Sequence, residues 1–324
     1  MKRRSLYIVI LIWLISLGGM LSSCKPQEFV VPDAGLYSKV FMQSATENPK
    51  EIEFEMTDDW YDISVGAGFG GVDLPSSPVT VNFKVDLSLV GSFNEENGTN
   101  YPAAPNESYD FEQTTAVIPA GKTNSNTLAL RVNPSKLTGI MAHLLPVVIE
   151  SADESISIND ELRVTYYLIR GTYSVNPYER LDRSNWAIID FSTDENENSQ
   201  GGRAPHAIDG DLNTIWATQW RDAKPRPPHF ITIDLGQEEV VHGLFIRGRM
   251  AGDAPRDRGN PKELRVETSE NGTDWIYSQE YSVPNDEENE IWFDYTQNVR
   301  YIKITVNETH MDFYQTHISE INAF

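Results

Sequence analysis

Asp209, Asp211 and Thr214 place three oxygen-bearing side chains within six residues. Gly210 and Asn213 between them allow the tight turning that gathers side chains and carbonyls around one point. Calcium takes about six to eight hard oxygen ligands, often mixing carboxylates with main-chain carbonyls. A run with no Cys and no required His suits Ca²⁺ better than Zn²⁺. Residues 209–214 alone do not complete such a shell, so a distant carboxylate must join them. The same residues also make a turn held by Asx hydrogen bonds, and the local sequence by itself favours that reading. Other chemistries find less support. Gly66-Ala67-Gly68-Phe69-Gly70-Gly71 matches G-x-G-x-x-G, but Asp73, Pro75 and Pro78 follow where a helix is required, which predicts a glycine-rich loop. The six His are scattered without H-E-x-x-H, and no G-x-S-x-G elbow is present. A carboxylate pair for glycoside hydrolysis is close in space and not in sequence, so that chemistry stays open.

The chain that must position these residues has 324 of them, enough for two domains. Its 40% hydrophobic and 10% aromatic content sets it apart from disordered chains. A formal charge of -22 argues against a duplex nucleic acid partner and against broad attraction to anionic lipid. Lys2, Arg3 and Arg4 precede an apolar run over 6–21, too short for a spanning helix, and together they read as a targeting segment. It ends in Leu21-Ser22-Ser23-Cys24, which resembles a bacterial lipobox. That resemblance implies cleavage after residue 23 and lipid attachment at Cys24, the single Cys of the chain. The alternative is a plain secretory signal with an incidental Cys.

Beyond a tether over 24–35, period-2 alternation predicts strands at 38–42, 51–56, 79–87, 127–132, 145–150 and 161–169, punctuated by Pro and Gly. A linker is placed at 171–184. A second β-rich stretch follows, with strands at 230–235, 240–247, 263–268, 275–280, 290–295 and 301–307. Asn271-Gly272 predicts a type I′ hairpin, and the acidic stretch 286–290 a solvated loop.

Two resemblances sharpen this picture. Asp86-Leu87-Ser88-Leu89-Val90, Phe93-Asn94, Asn97-Gly98-Thr99-Asn100-Tyr101, Pro105, Tyr109 and Val117-Ile118-Pro119-Ala120-Gly121-Lys122 resemble the DUF1735 domain of Bacteroidetes surface lipoproteins. It implies an immunoglobulin-like sandwich over 36–170, acting as a spacer or interaction domain. Ala207 to Trp216, Phe230 to Gly236, Val241-His242-Gly243-Leu244, Pro261 to Val266, Ser269 to Trp275, Val299 to Ile304 and Ile318-Ser319-Glu320-Ile321 resemble, in that order, an F5/8 type C (discoidin-like) domain, the group holding family 32 carbohydrate-binding modules. This implies a jelly-roll β-sandwich over 185–324, and so an all-β chain of two sandwiches. It also implies a structural Ca²⁺ held by the side chains of Asp209, Thr214 and Glu320 and the carbonyls of His206, Asp211 and Ser319.

A sugar site needs an exposed aromatic plate and planar polar groups. Trp216 falls on the family's core Trp, whereas Trp220 lies in a loop with Arg221, Lys224, Pro225, Arg226 and His229. Trp220 is thus the stacking candidate, with a packed loop anchor as its alternative. The Arg and Asn that bind sugar in the family's galactose-binding members correspond to Arg256 or Arg249 with Asn260. Ala217 stands where relatives often have His, and no counterpart of their Glu–His pair is evident. Seven basic residues (Arg221, Lys224, Arg226, Arg247, Arg249, Arg256 and Arg258) fall in these two loops and their flanks. They suit an acidic glycan, or else pair internally with Asp222, Asp253 and Asp257.

The expectation is a non-catalytic, lipid-anchored, calcium-ordered glycan-binding protein at the outer membrane, surface-exposed, serving capture for polysaccharide-uptake partner proteins. An adhesion or scaffold protein that binds another protein, and a glycoside hydrolase, are the alternatives.

Overall fold

The computed structural model describes residues 31–32, 37–153, 156–195 and 201–324. The signal segment, Cys24 and all of the tether except residues 31–32 lie outside the described residues. Among those described, no helix is long and apolar enough to cross a membrane.

Alternation becomes strand throughout. Val79–Val85 buries Val79, Val81 and Phe83, and Leu128–Val132 buries Leu128, Leu130 and Val132. The first domain packs a five-stranded sheet against two three-stranded sheets. One core joins Val40, Ile63 and Leu130 of the smaller sheets to Val81, Ile149 and Ile169 of the larger. Lys50–Glu55 and Val164–Thr172, from opposite ends of the domain, pair in parallel. The glycine-rich stretch is partly strand rather than loop: Gly68–Gly70 pairs with Lys39–Phe41. A Cβ on Gly68 would sit 2.7 Å from the Phe41 ring, so glycine permits this close approach. The DUF1735-like stretch includes a helix, Leu89–Asn97, that buries Val90 and Phe93 and stops at Gly98 with φ 64.

In the second domain two long strands, His229–Gly248 and Glu288–Thr309, form one antiparallel ribbon. Its register shifts between Asp234 and Glu239 and between Val241 and Gly243, so the predicted pairs of shorter strands are halves of single bent ones. One half pairs with Pro261–Ser269 and the other with His317–Ala323. Ile231, Ile246, Val266, Ile304 and Ile321 close a core around the fully buried Trp216. Both domains are β-sandwiches and the described chain is nearly all β.

Two local expectations are corrected. At Asn271-Gly272 only the glycine has positive φ, and Asn271 Oδ1 accepts from the Thr273 and Asp274 amides, so an Asx turn closes the loop in place of a type I′ turn. The 286–290 stretch is not simply a solvated loop: Glu287 pairs with Arg247, and Glu288 pairs with Arg180 and opens a strand.

The segment placed as a linker packs onto the second domain. Tyr173 stacks on Trp292 at 5.0 Å, Tyr178 on His242 at 3.6 Å, and the Leu181 amide donates to the Ala323 carbonyl.

Candidate functional site

Three loops meet at one end of the second sandwich because the strands that launch them are neighbours. Ala217 lies opposite His317, Gly248 opposite Ile318, and Pro261 opposite Thr309. The loops after Ala217, after Gly248 and after Thr309 therefore converge. They enclose a cavity of about 310 Å³ lined by Ile215, Ala217, Trp220, Arg249, Arg256, Phe313, Tyr314 and Gln315. A cavity of similar size in the first domain, around Ser64, Asn124 and Asn126, has no aromatic wall.

Trp220, Arg249 and Arg256 share this cavity, all three half-buried. The buried Glu195 carboxylate positions the first loop by accepting from the Trp220 and Arg221 amides, at 3.4 and 3.1 Å. Asn260 does not line the cavity. Its side chain is 3% exposed and pins the arginine backbone instead. Asn260 Oδ1 accepts from the Arg249 amide at 2.8 Å, and Nδ2 donates to the Arg249 carbonyl and to Asn285 Oδ1. Asn285 Nδ2 donates in turn to the Arg256 carbonyl at 2.8 Å. The expected sugar-contacting amide is thus a brace that sets the two arginines side by side.

Phe313, Tyr314 and Gln315 were missed from sequence. The adjacent aromatic pair in a polar loop before the last strand was the available signal. Met311 and Asp312 carry φ of 60 and 45, so two side-chain-bearing residues adopt left-handed backbone to turn the aromatics inward. The Asn260 carbonyl accepts the His310 amide, lacing this loop to the arginine loop.

Cations lie against the aromatic walls. Arg221 lies over Trp220 at 5.4 Å, Lys224 over Tyr314 at 5.6 Å, and Arg258 over Phe313 at 5.1 Å. Burial, together with the adjacent Arg256 charge, presses the Arg249 pKa down. Behind them the fully buried His317 is held neutral, its pKa lowered to about 3 by burial and then by the charges of Arg256 and Arg249. Among the described residues no carboxylate lines the cavity. Internal pairing does occur, but with other acids than expected: Arg247 takes Glu287 at 2.6 Å and Arg226 takes Asp312 at 3.1 Å. Neither Asp222, Asp253 nor Asp257 forms an ion pair among the described residues.

The acidic loop gathers a second constellation. Thr214 Oγ1 donates toward Asp209 Oδ2 at 2.8 Å and lies 2.9 Å from the Asp211 carbonyl. The Asp211 side chain turns away to accept from the Asn213 amides, which leaves its carbonyl as the group nearest Thr214. Glu320, 4% exposed, accepts from Arg183 at 2.6 Å through Oε1, while its other carboxylate oxygen is buried without a hydrogen-bond partner. Burial pushes the Glu320 pKa up, Arg183 opposes this, and the Asp209 charge reinforces it. His206 lies within the turn Ala204–Ala207 before this loop, and Ser319 precedes Glu320 on the last strand. No cage of three or more His, Cys, Asp or Glu side chains forms among the described residues. A cation here would take two carboxylates, one hydroxyl and main-chain carbonyls, a donor set that fits Ca²⁺. The orphaned, buried oxygen of Glu320 is the observation that asks for one.

Comparison with known proteins agrees with this architecture. Residues 189–321 match the family model of the F5/8 type C domain. They form an F5/8 type C domain. Residues 36–156 match a family model described as an N-terminal domain, in agreement with the DUF1735 resemblance. A sialidase of Micromonospora viridifaciens is 34% identical over 98 residues, 29% of this chain. The chain spans only 14% of that relative's length. The C-terminal domain of a chitobiase from Bacteroides fragilis is 26% identical, covering 45% of this chain and 97% of that one, with a TM-score of 0.39. A family 32 carbohydrate-binding module from Clostridium perfringens, solved with galactose, is 23% identical, covering 44% of this chain and 96% of that one, with a TM-score of 0.37. In this chain the F5/8 type C domain carries both constellations, the acidic loop at 209–214 and the aromatic, basic cavity that includes Trp220.

Proposed function

We propose that this protein binds carbohydrate through the cavity of its F5/8 type C domain and makes or breaks no bond. The observation that carries the reading is the cavity wall: Trp220, Phe313 and Tyr314 line it with aromatic rings, and Arg249 and Arg256 with planar guanidiniums. That combination matches a pyranose, which is apolar on one face and rich in hydroxyls at its edge.

The acidic loop supports a structural Ca²⁺. Asp209, Thr214 and Glu320 would hold it with the carbonyls of His206, Asp211 and Ser319, tying residues 206–214 to the last strand. A bound calcium would supply positive charge at these residues, which would then help to order the loop leading to Trp220. The N-terminal segment supports lipid attachment at Cys24, placing the protein at the outer membrane and surface-exposed, as a capture component for polysaccharide-uptake proteins. The first domain is then a spacer.

A glycan array probed with the mature chain in calcium tests the reading. Binding that is lost in Trp220→Ala, with the melting temperature retained, is the expected result. A blank array with folded protein would refute carbohydrate binding and favour a protein partner.

A further inference from the structure

We infer that the groove between the two sandwiches is a second binding site, which takes an uncharged sugar ring by hydrogen bonds from its hydroxyls to Asp294 and Arg170. It is separate from the Trp220 cavity and stands whether or not that cavity binds carbohydrate.

A cavity of about 340 Å³ opens where the two domains meet. That volume lies at the lower end of the roughly 300–1,000 Å³ of small-molecule pockets. The first domain contributes Asn100, Tyr101, Pro102, Met141 and Arg170 to its lining, and the second contributes Asp294. The walls are braced from behind. Asn94 Oδ1 accepts from the Tyr101 amide at 3.0 Å, and its Nδ2 donates to the Tyr101 carbonyl at 2.8 Å. The buried His143 holds the loop before its own strand: Nδ1 donates to the Met141 carbonyl at 2.9 Å, and Nε2 accepts from the Thr138 amide at 3.3 Å. The Met141 amide donates to the Asp294 carbonyl at 3.0 Å, which links the two domains at the cavity. A Cβ on Gly139 would sit 2.5 Å from that carbonyl oxygen, so glycine admits the close approach.

The Asp294 carboxylate is the group these braces leave over. It belongs to a half-buried residue and makes no hydrogen bond or ion pair among the described residues. Burial raises its pKa, and the Arg170 charge opposes the rise. Arg170 has one ion pair among the described residues, with Glu53 at 4.0 Å. The cavity thus combines an acceptor and a donor with the ring of Tyr101 and the apolar Pro102 and Met141. A hydroxyl both donates and accepts, so neighbouring hydroxyls of a sugar ring complement that pair, and the C–H groups of the ring suit the apolar wall. A cation would meet Arg170 and an anion would meet Asp294, so the match is to a neutral ring.

Isotope labelling of the methionine methyl groups tests this in the mature chain. Met141 lines the cavity between the domains, and Met311 lies in the loop that carries Phe313 and Tyr314. The methyl signals are followed by NMR during titration with the methyl glycosides of galactose, glucose, mannose and xylose. Titration runs to roughly 100 mM, because one ring in an open groove binds at about 1–10 mM. At least one glycoside should move the Met141 signal along a saturating curve, and should still do so in Trp220→Ala. Asp294→Asn should weaken that binding about tenfold or more, and Arg170→Gln should weaken it as well. The Met42 signal, from the first core, reports whether each variant is folded. Glucosamine and galacturonate should bind more weakly than the neutral glycoside. The inference is overturned by a Met141 signal that no neutral glycoside saturates, by a response that both variants leave unchanged, or by tighter binding of either charged sugar. Each of those outcomes leaves the Trp220 cavity to be judged separately, at Met311 and on the array.

Discussion

Asn260 shows how a residue's type misleads about its task. An Asn in a loop with arginines invites a direct sugar contact, yet its amide is spent on the main chain of those arginines and on Asn285. Its loss should therefore read differently from the loss of a wall residue. Asn260→Ala leaves the Arg249 amide and carbonyl without their partner, at a cost of about 1–3 kcal/mol. Denaturant midpoints should fall accordingly and sugar affinity should drop with them. Trp220→Ala should cost affinity alone. If Asn260→Ala keeps full stability and loses only affinity, the residue is a ligand contact after all. Trp216 illustrates the opposite case. Expected in the core, it is fully buried, and its indole Nε1 donates to the Thr193 carbonyl at 2.9 Å.

At the scale of elements, the acidic loop and the last strand form a joint that lacks a charge partner on one side. Arg183 satisfies one oxygen of Glu320, and the other is buried alone. Adding calcium at a hundredfold excess over its dissociation constant should stabilise the chain by about 2.7 kcal/mol. Thermal melts with calcium and with a chelator read this shift directly. Asp209→Ala and Glu320→Gln should each remove the response. A melting temperature indifferent to calcium in the unmutated chain would mean that residues 209–214 are only an Asx turn. The loop over 310–316 makes a second such point. Left-handed backbone at two non-glycine residues costs on the order of 1–3 kcal/mol each, and it is kept where Phe313 and Tyr314 must face the cavity.

For the molecule as a whole, pH and domain packing matter together. His143 in the first domain and His229 in the second are buried, and burial lowers both pKa values below 6.5. Each is neutral in the folded chain and titrates near 6.5 once unfolded, so the unfolded state binds more protons as the medium acidifies. Their contribution is complete above about pH 6.5 and is lost as pH falls toward the depressed folded values. The slope approaches about 1.4 kcal/mol per pH unit for each histidine. Melts from pH 7.5 to 5 should show declining stability, and His229→Gln should flatten the decline. A pH-independent melt across that range would contradict the burial argument. The segment once placed as a linker adds rigidity: Tyr173 and Tyr178 stack on Trp292 and His242, and the Met141 amide donates to the Asp294 carbonyl at 3.0 Å, joining the two sandwiches.

What the sequence determined by itself was the local part. Period-2 alternation such as that of 79–87 and 263–268 declares a strand wherever it occurs, because facing is set residue by residue. The order of the two β domains and the acidic turn at Asp209 were legible for the same reason. The tertiary structure decided what depends on register between distant strands. The cavity exists because the strand ends at Ala217, Gly248 and Thr309 lie together, though almost a hundred residues separate the first from the last. Phe313 and Tyr314 gain their place only through that convergence. So does the placing of the basic residues: Arg247 and Arg226 meet Glu287 and Asp312, and Arg249 and Arg256 line the cavity. Charge counted along the chain carries no distances, and pairing is a matter of distance.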